Sequence, residues 1–152
     1  MPSLFVTLQR ILPQHLLSRG VGWLAATRIT PIKNLFISRF TQAYDINMAE
    51  AAEENPLAYE SFNAFFTRAL KPGMRPIAAD PRAIACPADG AISQLGAISL
   101  DRIFQAKGHD YSVATLLGGN PERALPFIGG SFATVYLSPR DYHRVHMPFT
   151  GR

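Results

Sequence analysis

The sequence is nearly without cysteine and has no long apolar run. Its one cysteine, Cys86, excludes an intramolecular disulfide and a cysteine-rich zinc site. The longest apolar run, Val21–Ala26, is far shorter than the roughly 18 residues that a membrane-spanning helix needs. Only 17% of the 152 residues are charged and 47% are apolar, so the chain can bury a core and is not a disordered tail.

Acidic residues are missing from the first third of the chain. Residues 1–44 hold five Arg or Lys residues and no Asp or Glu, whereas residues 45–152 hold 10 basic and 11 acidic residues. The net charge of +4 therefore arises entirely in the N-terminal segment.

Apolar residues in the N-terminal half of the chain recur at helical spacing. Three sets follow steps of three and four: Phe5, Leu8, Ile11, Leu12 and Leu16; then Ile32, Leu35, Phe36, Phe40 and Tyr44; then Phe62, Phe65, Phe66 and Leu70. In the second set, Lys33 and Arg39 lie off the apolar face. The pattern predicts three amphipathic helical stretches.

Proline, glycine and hydroxyl residues predict where these stretches begin and end. Pro13 predicts a kink or the start of a second short helix. Glycines 20 and 22 predict a loosened join, and Thr30-Pro31 predicts a helix start with Thr30 as its cap. The third stretch follows Ser61 and is predicted to end at Gly73 and Pro76.

A basic, acid-free amphipathic segment favours contact with an anionic membrane surface, with Trp23 at headgroup depth. Two alternatives stay open: helices that pack on a core with solvated charges, and a mitochondrial targeting peptide. Nucleic-acid binding is disfavoured, because five charges over 44 residues are sparse and lie beside large apolar faces.

After residue 75 the pattern changes to strands and turns. Strands are predicted at Ile84–Cys86, Ala91–Ile98, Ile103–Ala106 and Phe132–Leu137, a turn at Gly108-His109-Asp110, and a short helix at Val113–Leu117 closed by Gly118-Gly119. The predicted fold class is α+β: N-terminal amphipathic helices (1–74) followed by a mainly antiparallel β region (75–152).

Three segments contain side chains suited to chemistry. In Pro87-Ala88-Asp89-Gly90, a rigid turn could hold the Asp89 carboxylate, although turn aspartates commonly bond only their own backbone. Asp141-Tyr142-His143-Arg144-Val145-His146 could supply an acid–base pair, provided that the segment bends so that both histidines face one site. The third segment, Gln105-Ala106-Lys107-Gly108-His109, indicates little by itself.

A metal site on His143 and His146 is a weak alternative. It would need a third ligand such as Asp89, His109 or Asp141, and the spacing fits no zinc motif. No metal is therefore predicted.

These segments, taken together, resemble bacterial phosphatidylserine decarboxylase. The resemblance rests on four runs in the same order along the chain: Ser61–Arg68 with Arg75-Pro76-Ile77, Pro87–Gly96, Gln105–His109, and Leu137–Pro148. The run Asp141–Pro148 is highly specific.

The resemblance implies a pyruvoyl-dependent carboxy-lyase made as a self-cleaving proenzyme. A serine in a Leu-Gly-Ser-Thr-type motif attacks the preceding peptide carbonyl and becomes the pyruvoyl group of a small α chain. By motif, Asp89 and His146 are implied as the aspartate and histidine of an Asp-His-Ser triad. His143 is implied as the acid that protonates the carbanion after decarboxylation, with the pyruvoyl group as electron sink.

The sequence departs from the family pattern in one respect. No Leu-Gly-Ser-Thr segment occurs, and Ser131 of Gly129-Gly130-Ser131 lies at the turn before the histidine motif, where it is no credible pyruvoyl precursor. The chain is therefore expected to be the N-terminal part of a truncated proenzyme, with a fold incomplete at its C-terminus and inactive alone. A noncatalytic membrane-surface protein is the rival hypothesis.

The resemblance also implies partners and a location. Expected partners are phosphatidylserine, an anionic phospholipid membrane and the α chain of the mature enzyme. The expected location is peripheral, on the cytoplasmic side of the bacterial inner membrane, through residues 1–74.

Overall fold

A computed structural model describes residues 14–80, 82–99, 102–105 and 109–149. The chain forms two compact units that divide between Ile77 and Ala78. The first predicted stretch ran from Phe5 to Leu16, and its residues 5–13 lie outside the described residues.

The described residues of the first unit form three α-helices. They are α1 (Gln14–Ala26), α2 (Thr30–Tyr44) and α3 (Phe62–Phe66), with a 3-10 turn at Pro56–Ala58 before α3. No helix among the described residues is both long and apolar enough to cross a membrane.

Among the described residues helix α1 begins at Gln14, so the two predictions for Pro13 lie outside them. The loosened join predicted at Gly20 and Gly22 is wrong. The helix continues through both glycines to Ala26. A helical glycine costs about 1 kcal/mol relative to alanine, which weakens a helix without ending it. Burial of Ala25 near the end of α1, in a cluster with Ile37 and Phe65, opposes that cost.

Helix α2 begins where predicted, but Thr30 is its first helical residue rather than its cap. The cap position belongs to Ile29, which makes no side-chain capping bond. The predicted apolar face is also rotated, because Lys33 and Ile37 are the buried residues while Leu35 is 61% exposed. Lys33 tolerates burial because its Nζ donates to the carbonyl of Leu57 and to Asn34 Oδ1, both at 2.8 Å.

Helix α3 follows Ser61 as predicted but ends at Phe66, well before Gly73. Leu70 instead forms an isolated antiparallel bridge with Ala51. The aromatic rings of α3 lie in the core: Phe62 contacts Phe36 and Phe40 at centroid distances of 4.4 and 4.9 Å.

In the second unit, the part of the chain that the structure describes forms four strands and two short helices. In chain order they are β1 (Ala91–Ala97), β2 (Arg102–Gln105), β3 (His109–Ser112), α4 (Val113–Leu116), α5 (Pro121–Ala124), a 3-10 turn (Leu125–Phe127) and β4 (Ser131–Tyr136). Strand β1 pairs with β4 and β2 pairs with β3, both antiparallel. The predicted α+β class with an antiparallel β region is confirmed.

Some local predictions for this unit are wrong. His109 and Asp110 lie in β3 rather than in a turn, because their backbone pairs with Gln105 and Phe104 of the neighbouring strand. Residues 84–86 belong to no ladder, although the Ala85 N–H donates to the carbonyl of Pro148 at 3.0 Å.

A small core supports the β1–β4 ladder. Ile98, Val113 and Ala124 are buried, and Phe132 of β4 packs against them. Helix α4 lies where the sequence predicted it. Gly118 and Gly119, just beyond its end, have positive φ.

Candidate active site

The Asp89 segment is a bend directly before β1. Gly90 closes this bend, and a Cβ placed on it would come within 2.3 Å of the backbone carbonyl oxygen of Tyr136. Only glycine lets the two backbones come this close. The half-buried Asp89 is therefore held beside the end of β4, the strand that leads into the histidine segment.

A tight turn connects β4 to the two histidines. The backbone N–H of Asp141 donates to the carbonyl of Ser138 at 2.9 Å, and the Asp141 Oδ2 accepts from the Ser138 N–H at 2.6 Å. The Asp141 carboxylate therefore stabilises this turn, as an aspartate commonly does at such a position. After this turn, residues 142–146 run back towards the Asp89 bend.

His143 has a defined ring orientation. Its Nδ1 lies 2.9 Å from the backbone carbonyl oxygen of Asp141. Because a carbonyl can only accept, Nδ1 carries the hydrogen of this bond. The nitrogen left for proton transfer at the half-buried His143 is therefore Nε2.

His146 is fixed to the Asp89 bend through its backbone. Its N–H donates to the carbonyl of Pro87 at 2.8 Å. The carbonyl of Pro148, two residues after His146, accepts from the N–H of Ala85, two residues before Pro87. The residue is exposed, and its Nε2 lies 3.0 Å from the hydroxyl of Tyr142. A further segment of chain could therefore reach the imidazole.

The structure thus brings together two of the predicted segments. Those that contain Asp89 and His146 lie side by side, and a turn at residues 138–141 precedes both histidines. That the two histidines face one site stays a prediction. The third segment belongs to a different ladder, because the backbones of Gln105 and His109 pair between β2 and β3. Lys107 of this segment lies outside the described residues. The roles of Asp89, His143 and His146 in catalysis stay predictions.

Two residues of the candidate site could not be identified from the sequence. Gly90 was assigned only to a turn, because its constraint comes from Tyr136, which is distant in the chain. Tyr142 was not singled out, because its contact with His146 depends on a bend that no local pattern indicates.

A metal site gains no support from the described residues. They contain no group of three or more His, Cys, Asp or Glu side chains placed to hold a metal ion.

Comparison with known proteins identifies the family. A family model described as phosphatidylserine decarboxylase matches residues 62–152, and a second model, described as PSD, matches residues 4–45. The first match includes both histidines and the Asp89 bend.

Several curated relatives are similar over nearly the whole chain. The proteins from Saccharophagus degradans and Bordetella avium, each named a phosphatidylserine decarboxylase proenzyme, are 62% and 60% identical over 149 residues, or 98% of this chain. A Pseudomonas aeruginosa protein of the same name is 62% identical over 148 residues, or 97% of this chain. The chain spans about half the length of these relatives, between 51% and 52%.

The family match extends over more than half of the chain and includes both candidate segments. The chain belongs to the phosphatidylserine decarboxylase family.

Proposed function

We propose that these residues form the N-terminal half of a pyruvoyl-dependent phosphatidylserine decarboxylase proenzyme. The observation that supports this most is the 2.8 Å hydrogen bond from the His146 N–H to the Pro87 carbonyl, which joins the two implied triad segments. Family membership favours the enzyme over a noncatalytic membrane-surface protein. The pyruvoyl-forming serine is assigned to the half of the relatives' length that this chain does not span.

His146 is the proposed base for self-cleavage. It would accept the proton of the serine hydroxyl as the serine oxygen attacks the preceding carbonyl carbon, and would return that proton to the amine nitrogen that leaves. Asp89 would orient the imidazole and stabilise the imidazolium cation. The exposed ring of His146 and its anchored backbone suit this role, because the serine must come from another segment.

His143 is the proposed acid for turnover. When present, a pyruvoyl group acts as an electron sink for the carbanion that decarboxylation leaves. The residues here fit such a group, since His143 Nδ1 donates to the Asp141 carbonyl. In the imidazolium form of His143, Nε2–H would deliver the proton to that carbon, and the neutral ring would keep its hydrogen on Nδ1.

The first unit is the proposed membrane contact, and the proposed location is peripheral, on the cytoplasmic side of the cell membrane. Helix α1 exposes large apolar side chains, and it lies within the segment that has five basic and no acidic residues. These side chains are Leu16 (66% exposed), Leu17 (48%), Val21 (53%) and Trp23 (65%). They suit an anionic bilayer that presents phosphatidylserine.

The proposed roles are tested in the full-length proenzyme that contains these residues. Asp89→Asn and His146→Ala should each leave a single uncleaved band on a denaturing gel. Normal processing of either variant would refute its place in the triad.

His143→Ala separates cleavage from turnover. It should leave the two-band pattern of the processed enzyme but strongly lower the conversion of phosphatidylserine to phosphatidylethanolamine in mixed micelles. Full turnover by the processed variant would remove His143 from the acid role.

A further inference from the structure

Tyr142 makes two contacts with the imidazole of His146. Its hydroxyl lies 3.0 Å from Nε2, and its ring stacks on the imidazole with centroids 5.5 Å apart and planes inclined by 18°. The first contact constrains one ring nitrogen and the second constrains the plane of the ring. The backbone of His146 is fixed separately, by the carbonyl of Pro87.

We propose that Tyr142 is a positioning residue for His146, holding its ring in the tautomer and plane that a general base requires. This inference rests on the proposed function of His146. A hydroxyl can donate to Nε2 only when that nitrogen has its lone pair free, and the imidazole hydrogen then lies on Nδ1. That tautomer is the one that a triad histidine needs, with Nε2 facing the serine and Nδ1–H facing the aspartate.

The hydroxyl of Tyr142 also marks where the serine must arrive. A serine hydroxyl that takes its place at Nε2 meets an imidazole already in the required tautomer and plane. Pre-orientation of this kind lowers the barrier, because the ring does not have to be ordered during the reaction.

The test compares three variants of the full-length proenzyme. Tyr142→Phe keeps the stacked ring and removes the hydroxyl, whereas Tyr142→Leu removes both. Tyr111→Phe is the matched control, because it removes a hydroxyl from a tyrosine of β3 that is 42% exposed. If Tyr142→Leu does not fold, Tyr142→Phe still tests the hydroxyl.

Two readouts are needed, the rate of self-cleavage and the tautomer of His146. Loss of one orienting hydrogen bond should slow self-cleavage of Tyr142→Phe by about 3- to 10-fold, while Tyr111→Phe keeps the wild-type rate. Nitrogen-15 NMR of the mature enzyme, in which the serine has been consumed, reports the tautomer. Correlation of the imidazole signals with the backbone of residue 146 assigns them.

Wild-type enzyme should show a lone-pair-type shift at Nε2, and Tyr142→Phe should show a mixture of tautomers. A wild-type or faster cleavage rate in Tyr142→Phe, or an unchanged tautomer, would overturn the inference. Cleavage of His146→Ala at the normal rate would instead overturn the proposed function, so the two failures are distinguishable.

Discussion

At the scale of single residues, Gly90 is restricted by the backbone of another strand. The distance of 2.3 Å between a Cβ at this position and the Tyr136 oxygen leaves no room for any side chain. Sequence alone could place Asp89 and Gly90 on a turn, but not predict this contact, because it depends on which strand pairs with β1. The burial of Lys33 could not be predicted from the sequence either, because the carbonyl of Leu57 that accepts from its Nζ lies in a distant segment of the chain.

Gly90→Ala should therefore destabilise the second unit. The added methyl must displace the Tyr136 carbonyl, and overpacking of this kind costs about 1–3 kcal/mol of unfolding free energy. Thermal unfolding would measure this loss of stability, and amide hydrogen exchange of β1 and β4 would locate it.

Gly22→Ala is the matched control, since a Cβ there meets nothing within 4 Å and Gly22 lies inside α1. It should raise the stability of the first unit by about 0.5–1 kcal/mol. Equal exchange in Gly90→Ala and the wild type would contradict the assigned close approach.

At the scale of secondary-structure elements, predictions succeeded where local signals dominate. The strands β1 and β4 and the helix α4 follow from alternation, β-branched residues and paired glycines. Predictions failed where tertiary contacts decide: the face of α2 is set by the aromatic cluster of α3, and His109 is drawn into β3 by its partner strand. The residue types of the candidate site were legible in the sequence, but the hydrogen bond that joins the His146 segment to the Asp89 bend was not.

Ser61 illustrates a local signal that the structure retains. Its hydroxyl accepts a hydrogen bond from the Ala64 N–H at 3.2 Å at the start of α3, and the residue is 7% exposed. Ser61→Ala should lower the free energy of unfolding of the first unit by about 1 kcal/mol, because it removes this N-terminal cap.

Chemical denaturation followed by Trp23 fluorescence would measure the change. Ser18→Ala, an exposed position inside α1, is the control and should be neutral or slightly stabilising. If the two variants proved equally stable, the cap would contribute nothing.

At the scale of the whole molecule, the two units differ in charge as well as in structure. The first unit, residues 1–77, holds eight basic and five acidic residues and includes the acid-free segment of residues 1–44, whereas the second unit, residues 78–152, holds seven basic and six acidic residues. A division of labour follows from the proposal: the first unit meets an anionic surface and the second provides the chemistry.

Binding of the full-length protein to vesicles tests this division. Affinity should be higher for vesicles that contain phosphatidylserine than for phosphatidylcholine alone, and should fall with salt. Arg19→Gln should weaken binding to the anionic vesicles by about fivefold, since one basic residue near the surface contributes about 1 kcal/mol.

Arg82→Gln removes the same charge from an exposed arginine of the second unit and should leave binding unchanged. Equal weakening by the two variants would show that net charge, rather than the first unit, governs the attraction.

The central claim is that His146 acts as the base for self-cleavage in a protein of this family. Intact-mass spectrometry of the full-length proenzyme, wild type beside His146→Ala, tests it most directly. The account predicts two wild-type chains whose masses include an N-terminal pyruvoyl group on the smaller one, and a single uncleaved mass for His146→Ala. A single mass in the wild type, or two chains in His146→Ala, would contradict it.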